Sequence, residues 1–365
     1  MRQEKVKSVK EKVKPFLLSP FSFPLLSLFC STISVIISPM SLNVLWRSGL
    51  AADLAPNHTD LFDDDITLTV ETDKEKALEK LEGINVLVDG KPSPELLDAP
   101  DLKHVIVPYV GIRESLREGV LERPHLTLYN SHFNDAFVAQ HAVALLLTCA
   151  NRIIPADGAL RQGDWRPGND DSFLSMFLPN KTCLLLGYGA IGKEVEARVR
   201  GFGMSVSAFR RHPSENSDIK EYGSDELHTA LAEADVVIVS LPSTPETKNL
   251  LDEAAMRAMK PGSIVVNVGR GDVIDQHALY DALKSGHLFG AGIDVWWNYP
   301  EGEEARANTL PSDAPLHELD NVVLSPHRAN QAQEWQLASL KDVSKTLNAI
   351  ARGEKRNIVE VERGY

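Results

Sequence analysis

The sequence predicts an α/β protein made of two doubly wound parallel sheets, each covered by helices. Length is the first reason: 365 residues suit two domains at roughly 100–200 residues apiece. The second is rhythm, because from Met40 onward short apolar runs alternate with helix-like stretches. The third is the content of those runs. Several are continuous Val, Ile and Leu with no polar alternation, as expected of strands buried on both faces.

In chain order, the first strands are predicted at Leu42–Trp46, Ile66–Val70, Asn85–Val88, His104–Val107 and Leu126–Tyr129. A long helix comes next. Asn134 or Asp135 can cap its start, and Phe137, Ala144, Leu145 and Leu147 give it an apolar face. It continues towards Ile153, with Pro155 and Gly158 marking its end. A helix joining two α/β units is a natural hinge, and ligands commonly sit where domains meet. The second strands are predicted at Cys183–Leu186, Ser205–Phe209, Val236–Leu241, Ile264–Val268, Gly290–Val295 and Val322–Leu324.

Composition narrows the function. Hydrophobic residues at 43% and charged residues at 24% exclude a disordered, collagen-like or disulfide-framework protein. A formal charge of −13 argues against nucleic acid as a partner, since that affinity comes from neutralised phosphates. Cys30, Cys149 and Cys183 are too few and too scattered for a zinc cluster or a secreted scaffold, and no His, Cys and acid spacing makes a metal site. These features describe an enzyme of a reducing compartment, and the cytoplasm is the expected location.

Residues 1–39 stand apart. A basic start (Arg2, Lys5, Lys7, Lys10, Lys12 and Lys14) precedes a charge-free run rich in Phe, Leu, Ser and Ile. About 20 apolar residues can span a bilayer, but Pro20, Pro24 and many serines weaken a spanning helix. Glu4, Glu11 and the preference for Lys over Arg do not suit an organellar transit peptide. An anchor, a targeting segment and an upstream extension before a start at Met40 remain alternatives. A membrane role is expected through this segment only, and the fold is read from residue 40.

Cys183-Leu184-Leu185-Leu186-Gly187-Tyr188-Gly189-Ala190-Ile191-Gly192 reads strand, glycine turn, helix. Gly187 permits a tight turn and Gly189 lets the backbone approach a pyrophosphate. Gly192 lets the helix, expected to run to Arg200, pack close to the strand; its N-terminus offers free N–H groups. The residues therefore predict dinucleotide binding. At the end of the next strand, Arg210 and Arg211 stand where an NAD enzyme carries an acid for the ribose. Two guanidinium groups suit a 2′-phosphate, so NADP(H) is the expected cofactor and NAD(H) the alternative.

Six motifs in order then resemble the D-isomer-specific 2-hydroxyacid dehydrogenase family. They are Val138-Ala139-Gln140-His141, the glycine turn, Ser240-Leu241-Pro242-Ser243-Thr244-Pro245-Glu246-Thr247, Asn267-Val268-Gly269-Arg270-Gly271, Gly290-Ala291-Gly292-Ile293-Asp294-Val295 and Ser325-Pro326-His327. The resemblance is densest from Val138 to His327. It implies hydride transfer between a nicotinamide and C2 of a small 2-keto or 2-hydroxy acid of the glyoxylate or hydroxypyruvate type. It also implies a Rossmann dinucleotide-binding domain (148–330) inserted in a flavodoxin-like substrate domain (40–147 and 331–365), a homodimer, and closure on the substrate. Leu241, Pro242, Thr247, Val268, Gly269 and Asp294 are implied to border the cofactor, beside Tyr188, Ala190, Ile191 and the three glycines.

Chemistry supports the catalytic assignments. Reducing a keto acid needs a cation for the carboxylate and a proton donor for the forming alkoxide. Arg270 follows a strand and is flanked by Gly269 and Gly271, which open the backbone for close approach. His327 follows another strand and titrates near neutrality. Pro108-Tyr109-Val110-Gly111-Ile112 resembles the family loop that holds the carboxylate, which implies substrate binding by Val110 and Gly111. Asn134 aligns with a substrate-side asparagine, and a helix cap is its equal alternative.

One departure stands out. The family usually places a glutamate beside the histidine, five residues after the aspartate matched here by Asp294. This chain has Tyr299 there. A phenol supplies no charge to an imidazolium, so His327 is expected to titrate lower than in glutamate-bearing relatives, unless Glu301 or Glu303 reaches in. If reduction requires the imidazolium, its rate then declines at lower pH. Formate dehydrogenases of the family carry glutamine at this position. A formate-type oxidation and a non-catalytic dinucleotide-binding regulator are therefore the alternative functions. Trp296 and Trp297 resemble the aromatic run of the formate enzymes or simply pack in the core.

Overall fold

The computed structural model describes residues 40–47, 54–214 and 217–362, so the expectations about residues 1–39 lie outside the described residues. Two parallel sheets form, as the apolar runs predict. The first holds β1 (Leu42–Trp46), β2 (Ile66–Val70), β3 (Val86–Val88), β4 (His104–Ile106) and β5 (Thr127–Tyr129) in the order β2-β1-β3-β4-β5. That is the flavodoxin-like order. The second holds β6 (Thr182–Leu186), β7 (Ser205–Phe209), β8 (Lys220–Tyr222), β9 (Val236–Val239), β10 (Ser263–Asn267), β11 (Leu288–Ile293) and β12 (Val322–Leu324). Its order is β12-β11-β10-β9-β6-β7-β8, so the chain reverses direction across the sheet between β6 and β9. In open sheets of this kind ligands bind outside the carboxyl ends of the strands at such a point.

The helices are α1 (Lys74–Leu78), α2 (Pro94–Leu97), α3 (Glu114–Leu121), α4 (Asp135–Ala150), α5 (Ile153–Arg161), α6 (Ala190–Arg200), α7 (Leu227–Glu233), α8 (Glu253–Ala258), α9 (Gln276–Lys284) and α10 (Trp335–Ala351). Among the described residues no single helix is long and apolar enough to cross a membrane.

Two features differ from the sequence reading. β8 was not foreseen, because Lys220-Glu221-Tyr222 is short and charged. As an edge strand it needs only one neighbour, and it pairs with β7 through Ala208↔Glu221 and Phe209↔Tyr222. The long helix also stops earlier than Pro155. Arg152 takes a left-handed backbone (φ 49°) and breaks it, and α5 begins at once. Pro155 sits in the first turn of α5, where its missing N–H has no intrahelical partner to lose.

Each sheet buries both faces. Leu45, Leu87, Val105 and Leu128 pack with Leu96, Leu116 and Val120 on one side of the first sheet. On the other side Val44, Trp46, Val86 and Ile106 meet Leu340, Val343 and Leu347 of α10, which returns from the end of the chain. α4 packs as one piece on the second sheet, from Val138 through Cys149, against Cys183, Leu185, Ile238 and Val266. A Cβ on Gly292 of β11 would lie 2.8 Å from Leu145 Cβ, so this glycine sets the close approach of helix to sheet. The linking helix therefore packs in the second sheet's core along its length.

At the crossing points, Asp342 of α10 accepts Ser131 Oγ at 2.7 Å and His132 N at 3.1 Å, and pairs with Arg356 at 2.6 Å. This polar tie joins the outgoing and returning connections of the first sheet.

Leu347 of α10 is fully buried against one face of the first sheet. Leu347→Ala is expected to destabilise the protein by about 2–5 kcal/mol, measured as a lower denaturant midpoint at unchanged slope.

Candidate active site

The loops that follow β6, β7, β9, β10, β11 and β12 all emerge at one edge of the second sheet. They carry nearly every residue singled out from the sequence. The glycine turn has the expected form. Gly187 has φ 98°, and a Cβ at Gly192 would sit 2.5 Å from Gly187 O. A Cβ at Gly189 would meet nothing within 4 Å, which leaves open room at the start of α6. Gly189 is the N-cap of that helix and caps it with no side chain. Ala190, Ile191 and Gly192 thus present first-turn N–H groups toward that room. The residues fit a pyrophosphate. Tyr188 is tied by its hydroxyl to Glu196 on the same helix.

Arg210 and Arg211 follow β7 directly. Arg210 is held by Glu221 of β8, Nη1 to Oε1 at 3.5 Å, and Glu221 also accepts Ser214 N at 2.7 Å. Burial pushes the Glu221 carboxyl up, but the Ser214 amide, Ser217 and Arg210 outweigh it and hold it below the usual range. Glu221, its side chain almost buried on the edge strand β8, thus steadies Arg210 at the end of β7.

The loop after β9 lies against the loop after β10. A Cβ on Gly269 would come within 2.5 Å of Leu241 O, so only glycine fits there. Val268 is buried, and its N–H bonds Val239 O. Thr247, expected beside the cofactor, uses its hydroxyl within the loop. It accepts Thr244 N at 2.8 Å and donates to Pro242 O at 2.7 Å.

Arg270 projects between its two glycines. A Cβ on Gly271 would strike Trp296 O at 2.3 Å, and Asn267 Nδ2 donates to Arg270 O at 2.9 Å. The backbone here is fixed from both sides. The first sheet's loop reaches this arginine, because a Cβ on Gly111 would lie 2.8 Å from Arg270 Nη2. Asn130 Nδ2 donates to Val110 O at 3.0 Å and holds that loop in place. Among the described residues, no protein group accepts the N–H of Val110 or Gly111.

Asn134 stands at the N-cap of α4 without capping it, and its Oδ1 is buried with no partner among the described residues. The capping alternative is thus not what the side chain does.

His327 has a left-handed backbone (φ 51°), uncommon for a residue with a side chain. Asp294 holds it there. This buried carboxylate accepts the N–H groups of Arg328 at 2.9 Å and Ala329 at 3.0 Å, the hydroxyl of Ser325, and stands 3.3 Å from His141 Nε2. Burial pushes its pKa up, but His141, Ser325 and the two amides prevail and keep it below the usual carboxylate range. Asp294, expected beside the cofactor, lies at the base of the histidine loop and positions it. His141 and Ser325 were visible only as motif letters; their roles depend on α4 crossing under this loop.

The Tyr299 phenol stands against the His327 ring. Its Oη is 2.8 Å from His327 Nδ1 and accepts Trp296 N at 3.2 Å. Glu301 is exposed, and Glu303 is an exposed partner of Arg306, so neither acid reaches the histidine. Trp296 and Trp297 serve packing, with their indole N–H groups on Ser325 O and Ile274 O. Protein crowding around the His327 ring lowers its pKa, and Arg270 lowers it further against the opposing pull of Asp294.

Residues 143–329 match the family model for the NAD-binding domain of D-isomer specific 2-hydroxyacid dehydrogenases. A glyoxylate reductase of Thermococcus litoralis is 33% identical over 287 residues, 75% of this chain and 82% of its own length. The chain belongs to the D-isomer-specific 2-hydroxyacid dehydrogenase family. A second glyoxylate reductase, from Pyrococcus furiosus, is 34% identical over 299 residues, 78% of this chain and 84% of that protein. Among solved structures, an NADPH-dependent glyoxylate/hydroxypyruvate reductase from Sinorhizobium meliloti superposes with a TM-score of 0.67 at 26% identity, covering 88% of this chain and 98% of that one. As a 2-hydroxyacid dehydrogenase, the protein is an oxidoreductase that moves a hydride between a nicotinamide dinucleotide and a small 2-keto or 2-hydroxy acid.

Replacing the phenol by a carboxylate reverses the electrostatics at this dehydrogenase's histidine. Tyr299→Glu is expected to raise the His327 pKa, because the acid favours imidazolium over imidazole. Titration of the His327 ring by NMR checks this: the imidazolium form should persist to higher pH in the variant, and coincident curves would refute it.

Proposed function

We propose that the protein is an NADP-preferring reductase of small 2-keto acids, of the glyoxylate or hydroxypyruvate type, working as a homodimer. The observation that carries this reading is the meeting of Arg270, Gly111 and the His327–Tyr299 pair at one sheet edge. The N–H groups of Val110 and Gly111 and the guanidinium of Arg270 would hold the substrate carboxylate. Arg270 also polarises the carbonyl, its planar fork reaching two oxygens at once. His327 supplies the proton that the forming alkoxide needs, through Nε2, since Nδ1 is engaged by Tyr299. The bound reduced nicotinamide supplies the hydride.

The preference for NADP(H) over NAD(H) is supported by Arg210 and Arg211 at the end of β7, with Glu221 neutralised by Arg210 and almost buried. A homodimer through the dinucleotide-binding half is supported by the arm from α5 onward. Ile153, Ile154, Leu160, Trp165, Leu174 and Phe177 are all exposed there, more apolar surface than a monomer usually leaves uncovered.

The test follows reduced-cofactor absorbance with a panel of 2-keto acids and both cofactors. Turnover of glyoxylate or hydroxypyruvate should prefer NADPH over NADH by about tenfold or more, the worth of a charge-assisted hydrogen bond. Arg270→Lys should lower kcat/KM by about 10²–10³-fold, as removal of an oxyanion donor does. Tight NADPH binding with no turnover of any 2-keto acid would overturn the reading.

A further inference from the structure

The partner of the catalytic histidine is a neutral group, and its surroundings decide which way its proton points. Tyr299 Oη accepts the backbone N–H of Trp296 and lies within hydrogen-bond distance of His327 Nδ1. A phenol has one proton to give, and an N–H directed at its oxygen fills one of its acceptor positions, which favours the phenolic proton pointing to Nδ1. A ring nitrogen that accepts a hydrogen bond carries no proton, so the neutral ring is protonated on Nε2. A glutamate in the same place would impose the opposite arrangement, because a carboxylate can only accept.

We propose that Tyr299 and His327 form a proton relay: the phenolic proton passes to Nδ1 as the Nε2 proton passes to the substrate's forming alkoxide. The relay rests on the reductase reading above and deepens it. The hydride pair becomes the new C–H bond at C2, and the carbonyl π pair moves onto oxygen. That oxygen takes the Nε2 proton, whose bonding pair stays in the ring. The Nδ1 lone pair takes the Oη proton, leaving phenolate; a solvent proton taken up at Nε2, with return of the Nδ1 proton to Oη, restores the starting state. One hydride and one solvent proton are consumed per carbonyl reduced.

Three features of the site support it. Without the phenol, donation from a neutral imidazole would leave imidazolate, a much stronger base than phenolate, so coupling the two transfers lowers the barrier. Burial raises the Tyr299 pKa and opposes a standing phenolate, but the Trp296 N–H and the field of Arg270 favour a transient one, with Asp294 and Asp272 the opposing charges that face it. His327 faces Asp294 and Arg270. Tyr299 is 46% exposed and His327 is exposed, so water reaches the pair that must be reprotonated. The donor to the phenol is itself fixed, since the Trp296 indole bonds Ser325 O at 2.8 Å, two residues before His327.

The relay changes the expected pH dependence. Reduction no longer needs the imidazolium, so the rate does not fall as His327 loses its charge. It falls only when the phenol ionises. The test combines ¹⁵N NMR of histidine-labelled full-length protein with kinetics, the His327 signal being identified by its loss in His327→Gln. Wild type at neutral pH should show a neutral ring protonated on Nε2, with Nδ1 accepting a hydrogen bond. Tyr299→Phe should lose that acceptor signature. Its reductive kcat/KM should fall by about tenfold or more relative to wild type near pH 8 and by less than about twofold near pH 5, where imidazolium donates unaided. An Nδ1-protonated or cationic ring in wild type at neutral pH would overturn the relay, as would a variant-to-wild-type ratio that does not change with pH. If the protein reduced no keto acid, the reductase reading would fall and the NMR result would still decide the proton's position.

Discussion

The catalytic edge depends on the carboxylate of Asp294, which is buried and fully bonded where the loop after β12 turns back over the sheet. A carboxylate in such a place is costly to bury unless its lone pairs are filled. Here two backbone amides, a serine hydroxyl and a histidine fill them. The return is geometric: the chain at His327 is kept in a left-handed turn that its side chain would not choose alone. Because His141 comes from α4, the same carboxylate couples the histidine loop to the helix that begins where the first sheet ends.

The arginine is positioned by a different kind of constraint. Gly269 and Gly271 lie so close to Leu241 and Trp296 that a single added carbon would collide with their backbones. Arg270 is thus the only side chain its turn can project. The loop at Gly111 arrives from the other sheet to within van der Waals distance of that guanidinium. Charge, hydrogen-bond donors and a proton source are brought together by parts of the chain more than two hundred residues apart, which is what closing two parallel sheets on one cleft accomplishes.

Much of this was legible in the sequence because buried parallel strands are written as apolar runs and their ends are written as glycines. Eleven predicted strands match β1–β7 and β9–β12 to within about two residues at most ends, though β8 does not appear among them. Lys220-Glu221-Tyr222 has no apolar run to detect, and with it went Glu221, the acid that steadies Arg210. The helix end was misplaced because Pro155 reads as a terminator although a proline is equally at home in a first turn. Arg270, His327 and Tyr299 were found as motif positions, but the Asp294–Ser325–His141 cluster was not. Its members are far apart in the chain, and only the packing of α4 across β11 and β12 brings them together.

On the proposed reading, this framework aims the Nε2 atom of His327 and the guanidinium of Arg270 at a single carbonyl oxygen. The most direct measurement is a crystal structure with NADPH and a non-reducible 2-keto acid analogue bound together. The analogue's carbonyl oxygen is expected within hydrogen-bond distance of both groups, with Nδ1 still on Tyr299 and Asp294 still under the loop. An analogue bound away from Arg270, or a His327 ring that meets it through Nδ1, would refute this arrangement.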